Sequence, residues 1–188
     1  MFPLFETLCI ERGNVKNIDL HQARYERSLR EYYGKSAVKI FDLFSLIQVP
    51  TTLQNQRLRC RIDYNAEHVQ VQYFEYVRKI YRTFRPIICD EIDYGLKYTN
   101  RDLINALFAQ REDCDEIMII KHRKVTDCSI GNLIFRKGEK WFTPDTPLLH
   151  GTQREKLLRE GKIEECEILL KHLKTFDEIR LINAMNSL

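Results

Sequence analysis

The sequence predicts a two-lobe chain of α+β or α/β class. A small N-terminal α/β lobe covers residues 1–92, and a C-terminal lobe over 93–188 is built mostly from antiparallel strands. Three observations predict it. Apolar and charged residues alternate strictly from Arg57 to Tyr64, the period of a half-buried strand. Thr99 and Asp102 precede Leu103, Ile104, Leu107 and Phe108, an apolar stripe at helical spacing. Between these, the pattern weakens from Pro86 to Tyr94 and a new block opens at Gly95, which sets the lobe boundary.

The elements follow in chain order. Leu4 to Glu11 is rich in strand formers, and Arg12-Gly13-Asn14 offers the glycine that a tight hairpin turn requires. Asp19 is the expected N-cap of a helix through Tyr33, closed by Gly34. A second helix is expected from Ala37 to Ile47, ending before Pro50. In the strand that follows, Leu58, Cys60, Ile62 and Tyr64 share one face and Arg57, Arg59, Arg61 and Asp63 the other. Val69, Val71 and Tyr73 repeat the pattern after the turn at Asn65 to Glu67, completing a hairpin or meander.

In the second lobe, a helix runs from Thr99 to about Arg111. Glu116 to Lys121, Lys124 to Cys128, Leu133 to Arg136 and Lys140 to Thr143 read as short strands separated by turns. Gly151 to Glu160 is a short helix closed by Gly161, and Glu178 to Asn183 is a last strand.

Composition narrows the function. With 44% hydrophobic and 30% charged residues, 7 Gly and 5 Pro, the 188-residue chain is a globular sequence and not a disordered or collagenous one. Thirty Lys and Arg against 27 Asp and Glu leave +3, too slight a balance to predict nucleic acid or a membrane as partner. The basic run Lys121-His122-Arg123-Lys124 reads as a solvated turn. No apolar stretch reaches the roughly 18 residues of a membrane span. The first residues lack a basic start, apolar stretch and cleavage site, so a cytoplasmic protein is expected. The six cysteines form no CxxC pair and no two histidines stand at i, i+4, so neither disulfides nor a metal is expected.

Several blocks stand out in order. Phe5-Glu6-Thr7 and His21-Gln22-Ala23-Arg24 lie near the start. Gly95-Leu96-Lys97-Tyr98-Thr99-Asn100-Arg101 and Val125-Thr126-Asp127-Cys128-Ser129-Ile130-Gly131-Asn132-Leu133 follow, and then Trp141-Phe142-Thr143-Pro144 and Leu148-Leu149-His150-Gly151-Thr152-Gln153-Arg154. In this order and spacing the chain resembles the class IV aminotransferase family, the pyridoxal-phosphate enzymes of fold type IV. The resemblance implies the D-amino acid aminotransferase-like fold with a barrel-like second lobe, pyridoxal 5'-phosphate as cofactor, and a homodimer. LKYTNR, the TDCSIGNLIFRKG run and the terminal Leu181-Ile182-Asn183-Ala184-Met185 look closest to the branch that cleaves 4-amino-4-deoxychorismate.

The resemblance also implies roles, and the chemistry of the residue types agrees with them. The cofactor needs an amine for its aldehyde, a carboxylate facing its ring nitrogen, and donors for its phosphate. Lys97 takes the place of the Schiff-base lysine and proton carrier. Asp127, one methylene shorter than the Glu of most members, stands at the ring nitrogen. Arg24, fourth residue of His21-x-x-Arg24, matches the phosphate arginine. Gly151 and the backbone amides of Thr152 and Gln153 open a helix, a ready anion site, with Gln153 replacing a hydroxyl residue. Ser129 and Asn132 are expected to stabilise the loop beneath the cofactor and Leu149 to pack against its ring; structural turn and core residues are the competing reading. Glu6 and Thr7 are expected to face the substrate.

Compared with typical members, the chain starts close to the Phe-Glu-Thr strand and stops at Asn186-Ser187-Leu188, so a compact member, or one whose pocket is completed by a partner subunit, is expected. The activity implied is a lyase forming 4-aminobenzoate and pyruvate for folate synthesis. The alternatives are an aminotransferase for a branched-chain or D-amino acid, and a non-catalytic protein that keeps the fold.

Overall fold

The computed structural model describes residues 1–34 and 38–188. The chain divides into two compact units, Met1–Arg78 with Leu96–Asn100, and Lys79–Gly95 with Arg101–Leu188. A single cut at residue 92 therefore does not describe it. The segment carrying Lys97 returns to the first unit because its backbone pairs with the first strand.

The first unit holds a four-stranded sheet. Its strands are β1 (Leu4–Glu11), β2 (Asn14–Val15), β3 (Arg57–Tyr64) and β4 (Val69–Glu75), in the order β2-β1-β3-β4 with every pair antiparallel. The hairpin turn has φ of 50° at Arg12 and 74° at Gly13. That is the doubly positive geometry of the turn whose twist matches the flanking strands, with glycine where it fits without strain.

Register decides which side chains meet. Leu4, Glu6, Leu8 and Ile10 stand opposite Tyr64, Ile62, Cys60 and Leu58, and all eight are fully buried. Helix α1 (Ile18–Tyr33) covers this face with Leu20, His21, Arg24, Tyr25, Ser28 and Leu29, one stripe at the 3.6-residue period. At about 1.5–3 kcal/mol for each large apolar side chain buried, this face is what holds the unit together. The opposite face presents Phe5, Thr7, Cys9 and Glu11 beside Asp63, Arg61, Arg59 and Arg57.

Two expectations about helices change here. The left-handed residue before α1 is Asn17, with Asp19 inside the first turn, where its charge still suits the helix dipole. Within the helix expected from Ala37 to Ile47, Ala37 lies outside the described residues, and only Leu43–Leu46 (α2) is helical. Side chains of α1 bind the preceding backbone instead. The Tyr25 hydroxyl bridges Lys39 O and Phe41 N at 3.3 Å each, and Gln22 donates to Phe41 O and accepts from Leu43 N at 3.0 Å each. With those groups already bonded, extended backbone costs no hydrogen bonds.

The second unit holds two sheets rather than one closed barrel. One joins β5 (Phe84–Ile88), β6 (Glu116–Lys121) and β7 (Lys124–Val125) in the order β5-β6-β7. The other joins β8 (Asn132–Lys137), β9 (Lys140–Pro144), β10 (Glu164–Cys166) and β11 (Glu178–Ile182) in the order β10-β9-β8-β11. The pairs β5/β6 and β9/β10 are parallel and the rest antiparallel. Each parallel pair spans a connection that contains a helix, α3 (Asp102–Phe108) in one and α4 (Thr152–Arg159) in the other, the crossover that parallel pairing requires. Ile117 to Ile120 of β6 and Leu133 to Phe135 of β8 are buried on both faces, so both strands read as unbroken apolar runs. Among the described residues no helix is long and apolar enough to cross a membrane.

Candidate active site

In the first unit the expected lysine is held by main chain. The edge of β1 away from β3 takes β2 near Ile10 and the segment 97–99 near Leu4. Phe5 N donates to Lys97 O at 3.0 Å and Thr99 N to Pro3 O at 2.8 Å, with Leu4 bridged to Tyr98. Thr99 makes no capping box, because its hydroxyl donates to Phe2 O at 2.6 Å and α3 begins at Asp102 behind Arg101. The half-buried Lys97 places Nζ 4.7 Å from the centre of the Phe5 ring. The Arg61 guanidinium lies 4.0 Å from the same centre and is held by Asp63 through Nε at 2.8 Å and Nη2 at 2.6 Å. Thr7 shares this face of β1.

Glu6 is on the other face and does not face a substrate. It is fully buried in the core, one residue from Phe5 and pointing the opposite way, as strand alternation demands. Arg24 Nε donates to its Oε1 at 2.8 Å and Nη2 to its Oε2 at 2.5 Å, and His21 Nδ1 lies 2.7 Å from Oε2. Burial alone would raise the Glu6 carboxyl, but the Arg24 charge and the hydrogen bonds from His21 and Arg24 outweigh it and bring it down to about 2. Burial pushes His21 below its ordinary value despite the pull of Glu6. An ionised Glu6 only accepts, so a neutral His21 carries its proton on Nδ1 and donates. The phosphate arginine expected from the sequence is thus a buried guanidinium clamped along one edge.

In the second unit the expected residues converge on Asp127. Its Oδ1 accepts from Asn132 Nδ2 at 2.8 Å and its Oδ2 from Leu149 N at 2.9 Å. Asn132 Nδ2 also donates to Leu149 O at 2.9 Å. The loop between Asp127 and Asn132 closes by Cys128 N donating to Gly131 O at 2.9 Å. Leu149 therefore contributes its backbone, which the sequence reading assigned to its side chain. Burial raises the Asp127 carboxyl to about 6 against the bonds from Leu149 and Asn132 and the charge of Arg154.

Gly151 caps α4 in extended conformation, and Thr152, Gln153 and Arg154 in its first turn are all buried. Arg154 donates to Pro144 O at 2.9 Å and pairs with Glu165. Ser129 has partners of its own. Its hydroxyl donates to Glu116 Oε2 at 2.8 Å, and its carbonyl accepts from Arg101 Nη2 at 2.7 Å, while Arg101 Nη1 reaches the Tyr94 hydroxyl at 3.2 Å. Burial raises the Glu116 carboxyl above its usual range.

Sequence reasoning gave no role to His21, Arg101, Glu116 or Arg154. His21, Arg101 and Arg154 lie inside the blocks that stood out, whereas Glu116 lies outside them and its one local signal is a carboxylate opening an apolar run. Its partner Ser129 lies 13 positions further on, beyond any local pattern.

Residues 93–188 match the family model described as amino-transferase class IV. A Haemophilus influenzae protein whose name states no function is 75% identical over 188 residues, 100% of both chains. A solved structure described as a "putative 4-amino-4-deoxychorismate lyase" from Haemophilus somnus is 55% identical, covers 100% of this chain and 98% of its own, and superposes with a TM-score of 0.96. The branched-chain amino acid aminotransferase from Escherichia coli is 16% identical and shares the fold, with a TM-score of 0.77 over 99% of this chain and 74% of its own.

Proposed function

Because the chain belongs to the class IV aminotransferase family and has its fold, we propose that it is a pyridoxal-phosphate-dependent lyase converting 4-amino-4-deoxychorismate to 4-aminobenzoate and pyruvate. The observation that carries the lyase reading is the end-to-end likeness, at 55% identity, to the Haemophilus somnus protein of that description.

The donor set fits the cofactor. Asp127 is a buried carboxylate whose plane is fixed by Asn132 Nδ2 and by the backbone of Leu149 and Leu148, and a carboxylate held in one plane is a suitable acceptor for a ring N–H. A carboxyl raised by burial is also one that a nearby positive ring nitrogen would bring down. Lys97 supplies a half-buried amine, Arg24 a guanidinium in fixed orientation, and Thr152 and Gln153 the first amides of a helix.

Pyridoxal phosphate supplies an aldehyde for amines and a ring that takes up a carbanion's electron pair. Lys97 would supply the amine for that aldehyde, and its Nζ would carry the proton taken from the amine-bearing carbon of the substrate. Asp127, braced by Asn132 and Leu149, would keep the ring nitrogen protonated. Arg24 would serve the phosphate from the first unit and the first amides of α4 from the second, and Thr7, on the face that carries Phe5, would position the substrate. Loss of that proton and breakage of the ether C–O bond to the enolpyruvyl group would make the six-membered ring aromatic, and the departing enolate would take up a proton to become pyruvate, so that no amino acceptor is consumed. A homodimer is part of this reading.

The test is a product assay with 4-amino-4-deoxychorismate and pyridoxal phosphate, run beside Lys97→Ala. Lysine-dependent 4-aminobenzoate is expected. Amino transfer to a keto acid without 4-aminobenzoate would make the protein an aminotransferase. Cofactor binding without turnover would make it a non-catalytic relative.

A further inference from the structure

Glu6 is a fully buried charge in a row otherwise made of Leu4, Leu8 and Ile10. An apolar residue in such a position is often at least as stabilising as a buried ion pair, so the pair's presence asks for a reason beyond stability. The geometry supplies one. His21 and Arg24 stand one turn apart on α1 and both reach the same carboxylate, His21 and Arg24 Nη2 on Oε2 and Arg24 Nε on Oε1. Both Glu6 oxygens are thereby fixed, and the Nε–Nη2 edge of Arg24 is fixed with them. A long side chain that could sample many rotamers is reduced to one, and its plane and the direction of Nη1 are set by the sheet.

We propose that Glu6 is a positioning residue that makes cofactor binding selective for the phosphate, by locking Arg24 in the one orientation in which its guanidinium receives that group. The inference rests on the assignment of Arg24 to the cofactor phosphate. His21 braces Glu6 from the other side and has no separate role in it. A neutral Nδ1–H donor does this without adding a second positive charge beside Arg24.

The test compares dissociation constants of the purified protein for pyridoxal 5'-phosphate and for pyridoxal, which lacks the phosphate, by absorbance titration. The ratio of the two reads phosphate recognition alone. Arg24→Ala is expected to collapse the ratio. Glu6→Gln is expected to lower it at least about tenfold, the equivalent of one charge-assisted hydrogen bond, while pyridoxal affinity stays within about twofold of the native protein. Glu6→Asp keeps the charge but shortens the reach, and a smaller drop in the ratio is expected. If Glu6→Gln does not fold, the Asp variant decides.

A ratio that collapses in Arg24→Ala but is unchanged in the Glu6 variants overturns the proposal and leaves the Arg24 assignment standing. Equal weakening of both ligands in the Glu6 variants also overturns it, showing a merely structural pair. A native ratio in Arg24→Ala removes both the assignment and the proposal.

Discussion

The amide oxygen of Asn132 stands where a side chain on Gly151 would have to be. A Cβ built at Gly151 would lie 2.0 Å from Asn132 Oδ1, and the same Asn132 donates to Asp127 at 2.8 Å. The glycine that caps α4 thus lets the asparagine reach the carboxylate. Gly151→Ala is expected to force Asn132 out of place and to destabilise the protein by about 1–3 kcal/mol, the usual penalty for overpacking. Urea unfolding of the variant checks this, and an unchanged midpoint would contradict it.

Asp127→Asn tests the two donors directly. An asparagine has one acceptor oxygen where the aspartate has two, so its amino group must face either Asn132 Nδ2 or Leu149 N, both donors. The expected loss is about 1–3 kcal/mol of stability for the unmatched buried donor, together with weaker pyridoxal phosphate binding. The readouts are denaturant unfolding without cofactor and a cofactor titration.

Acid should weaken the first unit in two steps. His21, held neutral below its ordinary 6.5, is protonated first in the unfolded chain, so stability falls as pH drops below that value. Glu6, brought from 4.5 down to about 2, contributes stability that is complete above pH 4.5 and lost as pH falls towards 2. The stability gap between the native protein and Glu6→Gln should accordingly shrink between pH 4.5 and pH 2. Thermal melts across that range measure it, and a constant gap would refute the ionised pair.

Arg101 ties Ser129 to Tyr94 and lowers the carboxyl of the buried Glu116 against burial's upward push. Arg101→Met keeps the length and removes the donors. It is expected to cost about 1–3 kcal/mol, since the carbonyl of the buried Ser129 loses its donor. Faster amide exchange at Ser129 to Gly131 should accompany the loss.

The strands were legible wherever one face is buried and the other is not. Leu58, Cys60, Ile62 and Tyr64 came out on the core side because their neighbours are charged. In β1 both parities carry apolar residues, Phe5 and Cys9 on one and Leu4, Leu8 and Ile10 on the other. Nothing local told which face α1 would cover, and Glu6 was expected on the wrong one. The Lys97 block was legible as a motif, but its return to β1 depends on pairing with the far end of the chain. The cradle of Asp127 was half legible. Asn132 acts through its side chain, which a sequence displays, and Leu149 acts through its backbone N–H and carbonyl, which every residue type shares.

The pairing of residues 97–99 with β1 also bears on how the protein is made. Leu4 to Glu75 can close its sheet on one edge as soon as it leaves the ribosome, but the other edge of β1 stays open near Leu4 until Thr99 arrives. At roughly 5–20 residues per second the nascent chain spends a second or more in that state, with unpaired N–H and carbonyl groups available to another molecule. The strip of backbone that carries the lysine is therefore also the closing seam of the first unit. A chain released short of it would keep the helix and the sheet, lose the amine, and leave a free strand edge inviting aggregation.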